Sequence, residues 1–128
     1  MSDYTIKNLK ELEDVAAGRP DDMEARMSRR AIEAEQVGVS YFRYGPGLRS
    51  RIGHRHEVQE EAYVVIAGSG RVKLDDEIAE LEQWDVVRVA PHVTRAFEAG
   101  PEGLELIAVG GPRPEGGDGE MVPDWWTD

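Results

Sequence analysis

From about residue 23 to residue 109 the chain is cut into short apolar segments by Gly, Pro and Asp, and this punctuation limits the fold more than any other feature. The segments 25–32, 38–44, 62–67, 71–74, 78–81, 85–89, 93–98 and 104–109 each read as a strand. Short strands at regular spacing point to an all-β sandwich or barrel. No stretch of helical period interrupts them, which argues against a parallel sheet with crossover helices. Asp75-Asp76, between Lys73-Leu74 and Glu77-Ile78, reads as a hairpin turn.

The two ends differ from this middle. Residues 8–18 read as a short helix, with Asn8 as its cap and Glu11 three places on as in a capping box. Leu9, Leu12, Val15 and Ala16 form its apolar stripe, and Gly18 and Pro20 end it. The tail GGPRPEGGDGEMVPDWWTD is rich in Gly and Pro and reads as an extended arm. Trp125 and Trp126 are costly to leave in water, so they are expected to pack across the barrel mouth or on a second subunit, as anchors rather than as a stacking platform for ligand. The chain is thus read as one domain: a helical segment 1–22, a barrel 23–110 and an arm 111–128.

Composition narrows the function. With 15 basic and 26 acidic residues the net charge is -11, which argues against binding to nucleic-acid phosphates. The acidity reads as a solubility device, with a preference for cationic ligands as the weaker alternative. There is no cysteine, hence no disulfide framework and no thiolate chemistry. The opening MSDYTIKNLKELED lacks the apolar core of a secretory signal, and no apolar run is long enough to span a membrane. The expected location is the cytoplasm.

One segment carries chemistry: GLRSRIGHRHEVQEEAYVVIAG, residues 47–68. His54 and His56 are two apart, so on a strand they face the same way. Glu61 would face away on an unbroken strand, but the polar run 57–60 can turn the chain and reset its direction. Glu61, Tyr63 and Val65 then share one face. Two imidazoles and a carboxylate make a divalent-metal site. Glu60 is the alternative carboxylate, though the spacing to Gly68 favours Glu61. No nucleophile–base pair, phosphate loop or internal repeat accompanies the segment.

This segment resembles the first motif of the cupin superfamily: a glycine, a His-x-His pair, a glutamate after four further residues and a glycine after six more. His54, His56, Glu61 and Gly68 match it, and Gly47 stands one residue early for the leading glycine. The resemblance implies a jelly-roll β-barrel, often a homodimer. It also implies iron, manganese, zinc or nickel on these residues, and a small-molecule ligand. Cupin enzymes include dioxygenases, isomerases and decarboxylases.

The second cupin motif falls on WDVVRVAPHVTRAFEA, residues 84–99. Asp85, Val87, Val89, Pro91 and Phe97 fit its rhythm. Trp84, Ala90, His92 and Ala99 replace the usual Gly, Pro, Gly and Asn, and Arg95 stands where the fourth metal ligand, a histidine, belongs. Strand parity turns Val93, Arg95 and Phe97 inward and Thr94, Ala96 and Glu98 outward. A buried guanidinium needs an acidic partner or a ligand. Three readings follow. In the first, His54, His56 and Glu61 form a three-ligand metal site, and Arg95 binds an anionic substrate with Tyr63 lining the cavity. In the second, Arg95 pairs with Glu61 in a metal-free binding or sensing barrel. In the third, His92 substitutes as a ligand.

Overall fold

The computed structural model describes residues 3–127. Among these residues, eight strands follow one 3-10 turn: β1 (Met23–Met27), β2 (Gly38–Tyr44), β3 (Gly53–Arg55), β4 (Glu61–Leu74), β5 (Glu77–Leu81), β6 (Val86–Val89), β7 (Arg95–Gly110) and β8 (Glu120–Val122). All pairing is antiparallel, and the all-β jelly-roll expectation holds. Asp75-Asp76 closes the β4–β5 hairpin, with Leu74 opposite Glu77 and Asp75 at φ 52°.

β4 and β7 are longer than the sequence suggests. Glycines at 68 and 70, and again at 100 and 103, each read as a break between two strands. Instead each strand runs on through its glycines as irregularities in one ladder. Opposite Ser69, β7 makes the excursion 100–103. Gly68 adopts φ 75°, and a Cβ there would lie 2.1 Å from the Gly103 carbonyl oxygen. Only glycine permits that approach.

The two long strands link two sheets. One runs β1-β2-β7-β4-β6, using residues 104–110 of β7 and 61–68 of β4. The other runs β5-β4-β7-β3-β8, using residues 70–74 and 95–99. Their inner faces meet in one core: Tyr63, Val65, Leu104 and Leu106 from the first sheet, Val72 and Phe97 from the second. The Tyr63 and Phe97 rings lie 4.8 Å apart, which closes the sandwich directly behind Glu61.

The N-terminal helix is corrected to a 3-10 turn over Leu9–Glu11. Asn8 does cap it, accepting from Lys10 N at 2.9 Å, but Leu12 is already extended. The chain then finds a better partner than its own helix. Val15 N donates to the Ala25 carbonyl at 2.8 Å, and the Asp14 carboxylate accepts from Ala16 N and Ala25 N. Edge-strand hydrogen bonds thus replace helical ones. Of the apolar stripe only Ala16 is buried.

The arm also departs from expectation. It supplies β8, which pairs with β3, and the tryptophans lie on the outer face of the second sheet rather than across the barrel mouth. Trp125 sits over Lys73, whose Nζ is 4.3 Å from the ring and donates to the Trp125 carbonyl at 2.6 Å. Trp126 packs under Arg49 and donates from Nε1 to the Ser50 carbonyl at 2.7 Å. This cover explains why Thr94 and Ala96 are buried although parity turns them outward.

Candidate metal centre

β3 is only three residues long, yet it is held on both sides. His54 pairs with Arg95 of β7 and with Met121 of β8. Beyond it, His56 N donates to the Pro91 carbonyl at 2.7 Å. The run 57–60 does turn the chain. Val58 N and Gln59 N donate to one oxygen of Asp118 at 2.7 and 2.9 Å, so a side chain of the arm caps the turn. β4 then starts with Glu61 facing inward, in line with Tyr63 and Val65, which are 3% and 1% exposed. Glu60 points away and pairs with Arg88 at 2.9 Å.

His54, His56 and Glu61 converge: one ligand atom from each lies within 4.8 Å of the others. Nε2 of His54 is 3.5 Å from Glu61 Oε1, and Nε2 of His56 is 3.3 Å from it. His56 is oriented from behind. Its Nδ1 is 2.8 Å from the other oxygen of Asp118, a carboxylate whose side chain is only 3% exposed. An ionised carboxylate can only accept, so Nδ1 carries the hydrogen, and in the neutral ring Nε2 is left with a lone pair. That Nε2 is buried and, among the described residues, has no hydrogen-bond partner. A carboxylate–histidine pair that aims a free lone pair at a second histidine and a glutamate fits a divalent metal. Burial pushes the Asp118 carboxyl up, but the two backbone N–H groups and His56 outweigh it and hold it well below the usual range.

Behind Glu61 sits Arg95, 0% exposed. Its Nη2 donates to Glu61 Oε1 at 2.6 Å, its Nε to the Tyr63 hydroxyl at 3.3 Å, and its Nη1 to the Val93 and Pro91 carbonyls at 2.8 and 3.3 Å. The Tyr63 hydroxyl in turn donates to Glu61 Oε1 at 2.6 Å. Burial raises the Glu61 carboxyl, but hydrogen bonds from His54, Tyr63 and Arg95 overcome it and bring it to about 2. Burial and the neighbouring Glu61 charge push Tyr63 up, so it stays a neutral donor. The guanidinium is spent on protein acceptors and faces away from solvent. His92 is exposed between β6 and β7 and is not brought to the cluster. Arg55 forms a two-pronged pair with Glu120 at 3.0 and 3.1 Å that braces β3 against β8.

A cavity of about 390 Å³ opens over the cluster, bounded by His54, Glu61 and Tyr63 at its floor and by Tyr44, Leu48 and Phe97 on its sides. A depression of about 420 Å³ at the Asp75-Asp76 hairpin contains none of the three ligands.

The sequence matches the cupin domain over residues 40–110, which takes in most of β2, all of β3 to β7 and all three donors. The chain belongs to the cupin superfamily. No curated protein matches it. Solved cupin-like structures do. A cupin protein from Bacteroides fragilis is 20% identical, with a TM-score of 0.72 over 88% of this chain and 86% of its own. The polyketide cyclase RemF from Streptomyces resistomycificus is 15% identical, with a TM-score of 0.74 over 97% and 87%. Oxalate decarboxylase from Bacillus subtilis is 21% identical, with a TM-score of 0.74 over 92% of this chain, which spans 33% of that enzyme. At these identities the likeness is one of fold.

Asp118 had no signal in the sequence. It lies 62 residues from His56, in a Gly-rich tail with nothing to mark it as part of a site.

Proposed function

We propose that this cupin binds a small molecule in its barrel beside a divalent metal held by His54, His56 and Glu61. The observation that carries the reading is the buried, unpartnered Nε2 of His56, whose ring is fixed by Asp118. A polar atom left buried without a partner is costly, and a metal ion removes that cost. Three protein ligands leave coordination positions open to a bound molecule. Iron, manganese, zinc and nickel all suit this donor set, and the ion would supply Lewis-acid or oxygen-activating chemistry. The named neighbours include a decarboxylase and a cyclase, so small-molecule chemistry is at home on this fold. In this reading Arg95 and Tyr63 serve the ligand indirectly, by fixing the charge and position of Glu61. The functional unit is a homodimer, for which the exposed Trp84 and Val86 offer an apolar surface. Light scattering on the purified chain tests that stoichiometry.

A second reading rests on the 2.6 Å contact between Arg95 and Glu61. The guanidinium already neutralises the glutamate and sets a positive charge beside the carboxylate that a metal would need, so the barrel binds its ligand without metal. Elemental analysis of untagged protein separates the two. Near-stoichiometric metal that is lost in His56→Ala supports the metal site. Metal absent after loading with iron, manganese, zinc and nickel sinks it, and a gain of metal in Arg95→His would then assign the metal-free state to Arg95.

A further inference from the structure

We infer that the cavity takes a monoanionic small molecule with an apolar body, its carboxylate held at the rim by Arg51 and Arg19; the inference rests on the reading that this cavity is the ligand site. Six acidic, basic or imidazole side chains line the space: Arg19, Asp21, Arg49, Arg51, His54 and Glu61. Two of these charges are already met. Glu61 is neutralised by Arg95 at 2.6 Å, and Arg49 is paired at 2.6 Å with Glu98, a carboxylate that Arg71 shares. Arg19 and Arg51 are exposed and, among the described residues, make no ion pair. Arg26, Arg43, Arg55, Arg71 and Arg88 find carboxylates, whereas Arg29, Arg30 and Arg113, all away from this cavity, make no ion pair among the described residues either. Two guanidiniums without one, at the mouth of the cavity over the cluster, outweigh the lone Asp21 and favour an anion.

The rim is also built in advance. The Arg51 carbonyl accepts from Trp125 N at 3.4 Å and the Ser50 carbonyl from Trp126 Nε1 at 2.7 Å, so the arm anchors the backbone that carries Arg51. Anchoring lowers the backbone part of the ordering cost of recognition. Most of the remaining wall is apolar, from Phe42, Leu48, Phe97 and the ring of Tyr44 to Ile52, the last 50% exposed, with Ser50 and the Tyr63 hydroxyl as its polar points. Charge at the rim and apolar surface below it sort ligands by the same two features, a charged head and a hydrophobic body. A guanidinium pairs with a carboxylate through two parallel hydrogen bonds and gives an amide or an ammonium no equivalent.

The test uses two matched probe sets: 3-phenylpropionate, 3-phenylpropionamide and 3-phenylpropylamine, and octanoate, octanamide and octylamine. Each is titrated into the full chain by amide NMR, once after chelator and once after zinc loading. The carboxylates are expected to shift the amides of Ile52 and Phe97 and to bind roughly tenfold tighter than their amides and amines, and Arg51→Ala is expected to remove about that factor. Arg30→Ala, an exposed arginine away from the cavity, controls for net charge and is expected to change nothing. Equal binding of amides or amines overturns the inference. So does an unaltered carboxylate affinity in Arg51→Ala, or no response to either carboxylate at millimolar concentration. Binding that needs zinc and ignores Arg51 gives the anion to the metal and overturns the arginine assignment. Arg51-dependent binding in chelated protein that holds no zinc supports it even where the metal reading has failed.

Discussion

Asp118 shows how much one side chain can decide. It accepts from two backbone N–H groups of the 57–60 turn and from His56 Nδ1, and so fixes both the turn and the ring. Asp118→Ala is expected to weaken metal binding about 10–100-fold, the usual cost of losing an outer-sphere partner. It should also lower stability by about 1 kcal/mol, because the half-buried donors Gln59 N and His56 Nδ1 lose their acceptor. Metal titration with an ion-selective dye gives the first quantity and urea unfolding the second. In ¹⁵N spectra of the metal-free protein, His56 should lose its single tautomer in Asp118→Ala. A ring that keeps the Nδ1–H form would show that Asp118 does not set it. Arg95 works on the same scale from the other side of the cluster. Its guanidinium meets four protein acceptors, and Glu61 could not remain ionised at 16% exposure without such help.

At the scale of elements, the arm and β3 hold each other. β3 has three residues and would not stand alone, but β8, the Arg55–Glu120 pair and the tryptophans lock it to the second sheet. Gly53 is the point of closest fit. A Cβ there would lie 2.8 Å from Trp125 Cγ and 3.0 Å from Thr94 Cγ2. Gly53→Ala is expected to push the arm off the sheet at a cost of about 1–3 kcal/mol, the usual range for overpacking. Faster amide exchange at Met121 and a rise in Trp fluorescence wavelength would report it; unchanged values for both would show that the arm absorbs the methyl. Element boundaries were legible in part for the same reason. β2 stands where its apolar alternation puts it, whereas β3 and β8 are too short and too polar to show a period. The helix expected over 8–18 failed because local propensity competed with an open strand edge and lost.

At the scale of the whole molecule, charge governs the response to acid. Glu24 on β1 collects Lys10 at 2.5 Å, Arg26 at 2.6 Å and Arg43 at 3.3 Å, and so ties the N-terminal segment to the first sheet. The hydrogen bonds from Lys10 and Arg26 outweigh burial and lower its carboxyl from 4.5 to about 2. Folding therefore lowers this pKa, and its contribution is complete above pH 4.5 and lost as pH falls toward 2. Glu24→Gln should narrow the stability difference between pH 7 and pH 3 by on the order of 1 kcal/mol, after a discount for the exposed Lys10 partner. Urea midpoints of both proteins at the two pH values measure this. An equal acid loss in the variant would assign the sensitivity to other carboxylates, Glu61 and Asp118 first.

The sequence by itself determined the all-β class, the Asp75-Asp76 hairpin and the family. Strand period, turn residues and the spacing of His54, His56, Glu61 and Gly68 are local properties that a chain displays before it folds. It also placed Arg95 inward, since parity along one strand needs no neighbour. Only the tertiary structure decided what Arg95 faces, what covers the outer sheet and what orients His56. Those answers rest on contacts between residues 34, 52 and 62 positions apart. Such pairs are chosen by how two sheets and an arm close on one another, and no periodicity along the chain records that choice.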